Sequence, residues 1–193
     1  MDVLFATSNP HKVSEASAVG RKFGVAFKQI PIGYTEVRDN SVSVVAFEGI
    51  RSLYPRVKKP VVIEDSGLFI SALNGFPGSY SHYAFDKIGI EGILNLLSKK
   101  KDRKAYFISA VAYADGESVK IFEGVVEGTI AKKLKGVGGF GFDPVFIPRG
   151  SRKTFAEDPA VKKAVSHRSK AVELLCRWLV RKKQKTITPA ARL

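Results

Sequence analysis

Two adjacent acids, Glu64 and Asp65, are the residues of this chain best suited to chemistry with a cation or a proton. They directly follow the apolar run of residues 61–63, which predicts a short buried strand. The carboxyl end of such a strand is where open α/β sheets place their ligands. Two neighbouring carboxylates repel each other unless a cation or a proton compensates them. The pair therefore predicts a cation site, and a solvated turn after a strand is the alternative for an arbitrary acid pair.

A loop of restricted conformation follows the acids. Ser66 and Gly67 lead into a second apolar run, residues 68–73, and then into the turn sequence NGFPG at 74–78. Asn, Gly and Pro favour the backbone angles that tight turns require. We expect the strand, the acid pair and this loop to form the part of the chain around which a functional site is organised.

A second candidate element lies near the N-terminus. The apolar run Asp2–Ala6 predicts a strand, and the periodic apolar residues after Lys12 predict a helix. A polar loop between a strand and a helix can bind phosphate, because N–H groups at the helix start and a nearby lysine attract anions. The loop lacks the glycines of a Walker or dinucleotide motif, and Ser8 or Asn9 could simply be a helix N-cap. Its residues are Thr7, Ser8, Asn9, Pro10, His11 and Lys12.

Two later segments also suit a ligand. Residues 136–144 place Phe140 and Phe142 among four glycines, so the backbone can approach a ligand and present an aromatic face. A plain turn with two core phenylalanines is the alternative. Further on, His167 and Arg168 follow the N-cap candidate Ser166, in a first helical turn where the dipole disfavours positive charge. We expect an anion or a polar base edge to compensate them.

The remaining pattern predicts an α/β fold. We expect a hairpin of residues 106–113 and 119–129, because Asp115-Gly116 is a two-residue turn signal between β-branched and aromatic runs. Further strands are expected at residues 25–32 and 129–134, and helices at residues 41–54, 91–99, around Lys162, and 169–183.

Length and composition limit the possible classes of protein. A chain of 193 residues, of which 45% are hydrophobic, predicts one globular domain over residues 1–185 and a basic, flexible tail over residues 186–193. The first residues do not resemble a signal peptide, and no apolar run is long enough for a membrane span. A lone Cys176 and three histidines argue against a disulfide framework and a zinc ligand set. We expect a soluble, cytoplasmic protein.

The charge is strongly positive, with 32 Lys and Arg against 18 Asp and Glu and a formal net charge of +14. Such a surplus favours contact with polyanions. Most basic runs flank predicted turns or end predicted helices, where solvated charge is common. They also lack the interleaved aromatic residues of single-strand binders. Nucleic-acid binding is therefore the less favoured hypothesis, and a nucleic-acid-binding protein with a vestigial nucleotide pocket is the alternative from a different class.

Four segments, in order along the chain, resemble the inosine triphosphate pyrophosphatase family. They are TSNPHK at 7–12, EDSGL with NGFPGSYS at 64–81, GGFGFDP at 138–144, and TFAEDP with KKAVSHR at 154–168. The resemblance spans residues 2–179. It implies a mixed, twisted α/β sheet with flanking helices, two lobes around a central nucleotide-binding cleft, a homodimer, and Mg²⁺-dependent hydrolysis of ITP, dITP and XTP to the monophosphate and pyrophosphate.

The resemblance also implies roles for individual residues. Glu36 and Asp65 would hold Mg²⁺, with Glu64 as a further candidate ligand, and Asp65 would accept a proton from the attacking water. The loop of residues 7–12 would hold the triphosphate. The residues that would contact the nucleotide are Ser66, Phe140, Gly141, Phe142, Asp143, Lys162, His167 and Arg168.

These roles agree with the chemistry of the residue types. Water attack on a phosphoryl group requires charge neutralisation and positioning, and carboxylates supply the hard oxygens that Mg²⁺ prefers. Phe142 would stack on the base, and His167 and Arg168 could donate to a purine 6-oxo group, which adenine lacks. Guanine has that group, so this argument does not explain how GTP would be excluded.

The chain also departs from the family pattern. Many relatives have a lysine near Glu48 and Gly49, an asparagine in place of Lys163, and a methionine in place of Asp158. A related pyrophosphatase of the septum-inhibitor type would share the fold, but the SHR and GFGFDP segments argue against it.

Overall fold

The computed structural model describes the backbone of residues 1–187 and the side chains of residues 1–184. Its strands are β1 (Asp2–Ala6), β2 (Ala26–Ile30), β3 (Val61–Ile70), β4 (Pro77–Gly78), β5 (Lys104–Ala114), β6 (Val119–Ile130) and β7 (Phe146–Pro148). They form one mixed sheet in the order β2-β1-β3-β5-β6-β7, with β4 paired to β3. β1 is parallel to β2 and β3, and the other pairs are antiparallel. The predicted mixed α/β sheet is confirmed.

The helices are α1 (Pro10–Gly20), α2 (Val42–Val57), α3 (Ser81–Leu96), α4 (Pro159–Val165) and α5 (His167–Ile187). Strand alternation sends side chains to two faces of the sheet. On one face, Val62 and Val111 pack with α1 and α5. On the other face, Ile63 and Ala112 pack with α2. Within residues 1–187, no helix has both the length and the apolar character that a membrane span requires.

A third apolar cluster fills the other end of the molecule. It joins the last part of β3 to α3, β5 and the segment around β7, and Leu68, Ile93, Phe107 and Phe146 are among its buried residues. Because β3 and β5 are long, they pass through both ends and connect them. This arrangement agrees with the expected pair of lobes.

The sequence predicted that the acid pair lies at the carboxyl end of its strand, but the strand extends further. β3 continues through Glu64 and Asp65 to Ile70, and every one of its residues pairs with β5. The parallel neighbour β1 pairs only with Val61 and Val62. The acids therefore lie in mid-strand, just past the last residues that pair with β1. The prediction was wrong because pairing with β5 continues the strand through polar residues that interrupt the apolar run.

The predicted bounds of the strand at residues 129–134 and of the helix at residues 91–99 were also wrong. Residues 131–134 are not a strand, because β6 ends at Ile130 and the next amide, that of Ala131, donates to the carbonyl of Val145 at 2.7 Å. α3 begins at Ser81, ten residues earlier than expected, and is interrupted at Gly89, whose φ is 61°. Of the apolar residues near its end, Ile93 is buried but Leu96 is 49% exposed.

The hairpin and the last helix are confirmed with different limits. β5 and β6 pair as expected, but their loop has four residues, because Ala114 pairs with Val119. The Asp115 carboxylate accepts bonds from the amides of Glu117 and Ser118 within this loop. α5 extends to Ile187, beyond the expected end at Lys183, and Lys182 forms an ion pair with Asp115. The rest of the predicted tail, residues 188–193, lies outside the described residues.

Candidate active site

A cleft of about 1060 Å³ lies between the two lobes. Its walls come from the ends of β1 and β2, the middle of β3, the start of α3, the glycine-rich loop and the start of α5. Most of the site residues expected from the sequence line this cleft. They are Thr7, Ser8, Asn9, Lys12, Glu36, Asp65, Ser66, Phe140, Gly141, Phe142, His167 and Arg168.

The polar loop after β1 becomes the start of α1. Asn9 is its N-cap, and its side chain accepts a bond of 2.9 Å from the amide of His11. Pro10 occupies the first turn, where its missing N–H costs no hydrogen bond. The capping role and an anion-binding role are compatible, since only one of the free amides is used by the cap. Pro10 and His11 do not line the cleft, whereas Lys12 does.

Glu64 is buried among cations. Its Oε2 lies 2.9 Å from Lys12 Nζ and its Oε1 lies 3.2 Å from Arg168 Nε. Ser109 donates a hydrogen bond of 2.5 Å to Oε1. Burial raises the pKa of Glu64, but the charges of Arg168 and Lys12 outweigh it and hold the pKa well below its ordinary value. Each oxygen of the ionised carboxylate thus lies beside a cation, so Glu64 is poorly placed to act as a metal ligand.

Asp65 has the opposite environment. It pairs with Ala110 on β5 and, as the next residue in the strand, projects to the opposite face from Glu64. Its Oδ2 is buried without a hydrogen-bond partner. Burial raises the pKa of Asp65 to about 7, with Lys12 opposing the rise and Glu64 and Glu36 adding to it. An uncompensated carboxylate of this kind is suited to bind a cation or to accept a proton.

Glu36 lies in the irregular segment between β2 and α2, with an exposed side chain in the cleft. Among the residues that the structure describes, no three or more His, Cys, Asp or Glu side chains are arranged as a metal centre. Mg²⁺ commonly uses one or two carboxylates and completes its shell with water and phosphate oxygens. The exposed Glu36 and the unpartnered oxygen of Asp65 fit that requirement, and Glu64 does not.

A second buried network lies behind the glycine-rich loop. Asp143 Oδ2 accepts hydrogen bonds from the Phe140 amide at 2.8 Å and from Lys162 Nζ at 2.6 Å. Lys162 also lies 2.8 Å from Glu15 Oε1, and Arg168 lies 2.6 Å from Glu15 Oε2. Burial raises the pKa of Asp143, with Lys162 opposing. Asp143 and Lys162 do not line the cleft; they fix the loop that does.

Glu15 was not identified from the sequence. It joins Lys162 and Arg168, so it connects α1, α4 and α5. Burial raises its pKa, but Arg168 and Lys162 bring the pKa below its ordinary value. Glu15 lies in the second turn of α1, beyond the first turn in which the helix dipole favours acids, and the local sequence gives no signal of partners more than a hundred residues away.

The two phenylalanines of the glycine-rich loop have different surroundings. Phe142 is 4% exposed and its ring contacts Phe85 edge to face, at a centroid distance of 5.4 Å. Phe140 stacks on His11, with 5.1 Å between ring centroids, and Lys162 Nζ lies 4.0 Å from its ring centre. Both rings line the cleft, but Phe142 is buried in the core whereas Phe140 is half-buried.

His167 and Arg168 lie in the first turn of α5, as the sequence indicated, and the structure shows that both are buried. Ser166 is the N-cap and accepts a bond from the Ser169 amide. His167 stacks on Phe107 at a centroid distance of 4.5 Å, and its Nδ1 has no partner. Burial, with a smaller contribution from Arg168, lowers the pKa of His167 well below its ordinary value. The imidazole is therefore neutral. The neighbouring Arg168 donates a hydrogen bond of 3.2 Å to Ser66 Oγ.

Tyr34 is a further cleft residue that the sequence did not identify. The departure near Gly49 has a structural reason, because a Cβ at Gly49 would lie 2.9 Å from the Tyr34 ring and 2.6 Å from Ile63 Cδ1. Because Gly49 of α2 has no side chain, it leaves room for the Tyr34 ring. A glycine inside a predicted helix is a weak signal of such a close contact.

Comparison with known proteins agrees with this geometry. The Ham1 family model matches residues 3–178. The chain belongs to the Ham1 family. This confirms the resemblance found from the sequence motifs, because the family includes relatives named dITP/XTP pyrophosphatase. One, from Thermococcus kodakarensis, is 47% identical over 180 residues, covering 93% of this chain and 97% of its own. Another, from Hyperthermus butylicus, is 46% identical over 178 residues, covering 92% and 94%.

Solved Ham1 structures share the fold. A HAM1 protein from Coxiella burnetii superposes with a TM-score of 0.83 at 30% identity, covering 94% of this chain and 99% of its own. The Ham1 protein of Staphylococcus aureus gives a TM-score of 0.82 at 29% identity, covering 94% and 100%. The match over nearly the whole length means that both lobes and the cleft belong to the common Ham1 architecture.

Proposed function

We propose that this Ham1 protein hydrolyses the non-canonical purine nucleotides dITP, XTP and ITP to the monophosphate and pyrophosphate. The observation that supports it most strongly is the identity of 46–47%, over more than nine-tenths of the chain, with relatives named dITP/XTP pyrophosphatase. The cleft adds a chemical argument, since it combines Lys12 with an unpartnered carboxylate. Phosphoryl transfer needs this combination of charge neutralisation and positioning.

Asp65 has two roles in the proposal. With Glu36 it would hold Mg²⁺, which when bound neutralises charge on the phosphate oxygens. Its own carboxylate would orient the attacking water and take up the proton that the water loses. A pKa of about 7 before a cation binds places the group near the operating pH of a general base. The proton is then released to solvent as the product leaves.

Lys12 would direct the triphosphate. Its ammonium is held by the backbone oxygen of Glu64 at 2.9 Å and by the Glu64 carboxylate. It stays in the cleft wall and is accessible for part of its surface. A lysine fixed in this way can meet a phosphate without first losing side-chain freedom, which lowers the entropic cost of binding. The free amides at the start of α1 would add anion contacts.

The start of α5 would select the base. The first N–H groups of a helix have no partner within the helix, so the amides of His167 and Arg168 can donate to a purine 6-oxo group. An adenine amino group at the same place would leave these donors unpaired, and polar sites reject such analogues strongly. Phe140 would supply the stacking surface. The residues that exclude GTP are not assigned.

The activity is tested by measuring pyrophosphate release from dITP, XTP, ITP, GTP and ATP, each with Mg²⁺ and with EDTA. We expect metal-dependent turnover of the first three, well above that of GTP and ATP. Equal turnover of ATP would contradict the proposed selectivity, and full activity in EDTA would contradict the metal. We extend the proposal to a homodimer in the cytoplasm, and light scattering of the purified protein would test the dimer.

A further inference from the structure

A second cavity lies outside the cleft, at the end of α3. Its volume is about 720 Å³, and it shares no lining residue with the cleft. Its walls include one lysine pair from the turn after α3, Lys100 and Lys101, and another from the turn after β6, Lys132 and Lys133. Two basic turns that are about 30 residues apart in the chain thus meet at one cavity.

Arg103 fixes these two turns to each other. Its guanidinium donates to the carbonyls of Ile130 at 2.6 Å and Ala131 at 2.7 Å, and to the carbonyl of Leu97 at 3.2 Å. The first two carbonyls precede the lysines after β6, and the third precedes the lysines after α3. Because Arg103 bonds both segments, the lysine pairs are held at a defined separation rather than on independent loops.

The four lysines have no acidic partner among residues 1–184. In the part of the chain whose side chains the structure describes, none of them forms an ion pair or a side-chain hydrogen bond, and all are exposed. Glu91 is the single acid among the cavity's lining residues. Like charges held close together repel each other, and a multiply charged anion would remove that cost.

We propose that this cavity is a second binding site, specific for a small oligophosphate anion. The four ammonium groups and the backbone held by Arg103 suit a ligand with three or more negative charges. The volume of about 720 Å³ is in the range of small-molecule sites. Free oligophosphate and the triphosphate group of a nucleotide share this chemistry. The site does not depend on the activity proposed for the cleft.

The test uses inorganic tripolyphosphate, titrated calorimetrically into the full chain without divalent metal. We expect two binding events, one in the cleft and one in the second cavity, and both should weaken as salt screens the charges. K132Q/K133Q should weaken one event by about tenfold and leave the other, as well as ITP turnover, unchanged. K58Q/K59Q removes the same charge from an exposed pair elsewhere and should change neither event.

Circular dichroism of each variant would confirm that the fold is retained. A single binding event in the wild type that K132Q/K133Q does not alter would overturn the proposal. Equal weakening by K58Q/K59Q would also overturn it, since it would mean that net charge alone is responsible. Repeating the titration with ATP would show whether a nucleotide triphosphate binds as the free anion does. Binding of a single-stranded oligonucleotide through these lysines, without tripolyphosphate binding, would favour nucleic acid and contradict the site.

Discussion

Glu64 and Asp65 are neighbours in the chain, but the two faces of β3 give them opposite environments. Glu64 faces α1 and α5, where Lys12 and Arg168 contact its oxygens, and Ser109 of β5 donates a hydrogen bond to it. Asp65 faces the cleft with one buried oxygen unpartnered. Glu64 is buried and Asp65 is half-buried, yet the pKa of Glu64 is lowered and that of Asp65 is raised. Burial alone therefore does not decide the charge of an acid; the presence of paired cations does.

The two acids therefore suit different roles: Glu64 supports the fold, and Asp65 is suited to the chemistry of the cleft. A carboxylate with all its cations in place is stable in its ionised form and holds Lys12 and Arg168 in position. A carboxylate without paired cations can bind a cation that the fold itself does not supply. The comparison predicts that removing one acid damages stability most and that removing the other damages activity most.

The largest expected effect is loss of turnover in Asp65→Asn. The amide cannot accept a proton and is a poor ligand for Mg²⁺, so we expect kcat to fall by about a thousandfold or more. Steady-state pyrophosphate release from dITP is the measurement. Asp86→Asn is the matched control, because Asp86 lines the same cleft but pairs with His82, and it should keep near-normal turnover. A folded Asp65→Asn variant with a normal rate would refute the role of Asp65.

The same variant should be more stable than the wild type at pH 8. The pKa of Asp65 in the folded chain is about 7, above its ordinary value of 3.8. Folding therefore takes up a proton between these values, and the free energy of unfolding decreases as the pH rises from about 4 to about 7. Asparagine removes that cost, which is roughly 4 kcal/mol at pH 8 for these two pKa values. Urea unfolding of both proteins at pH 5 and pH 8 gives the difference, and a less stable variant at pH 8 would contradict it.

Glu64→Gln should have the opposite balance. Removing the charge leaves Lys12 and Arg168 without their buried partner, and breaking such a pair costs about 3–5 kcal/mol. We expect a large loss in the free energy of unfolding, measured with urea at pH 7. Glu127→Gln is the control, because the Glu127–Arg149 pair is exposed and should contribute less than about 1 kcal/mol. Comparable losses in the two variants would mean that the Glu64 cluster is not a supporting element.

The two phenylalanines of the glycine-rich loop extend the comparison to another pair of near neighbours. Phe140→Ala should raise the KM for dITP by about tenfold through lost stacking, with little change in stability. Phe142→Ala opens a gap beside Phe85 in the core and should cost about 3 kcal/mol of stability. Measuring KM and urea midpoints for both variants would separate the roles. A larger rise in KM for Phe142→Ala, in a protein of unchanged stability, would restore Phe142 as the stacking residue.

The smallest expected effect concerns pH and His167. Its pKa in the folded chain lies well below 6.5, through burial and then Arg168. Unfolding therefore takes up a proton below pH 6.5, and the free energy of unfolding falls as the pH decreases. This contribution should be about 1 kcal/mol between pH 6.5 and 5.5, and His167→Asn should lack it. Asp65 contributes the opposite slope in this range, so the variant is compared with the wild type at each pH. His82→Asn, at an exposed position, should keep the wild-type slope.

The local sequence pattern was sufficient to predict much of the secondary structure and of the candidate site. β1, the hairpin of β5 and β6, the N-caps Asn9 and Ser166, and the polar loop at 7–12 follow from apolar periodicity and capping chemistry. The motifs were also specific enough to predict the family and to select most of the residues that line the cleft. These features depend on residues close together in the chain, which is why the sequence alone determined them.

The tertiary structure decided which way the side chains point and which groups meet. β3 continues through the acid pair only because β5, some 40 residues later in the chain, pairs with it throughout, so local pattern could not assign Glu64 and Asp65 to opposite faces. The contacts of Glu15 with Lys162 and Arg168 and the burial of Phe142 against Phe85 likewise join distant segments. Charge state depends on such contacts, because a carboxylate's pKa follows the ions and solvent around it rather than its position in the sequence.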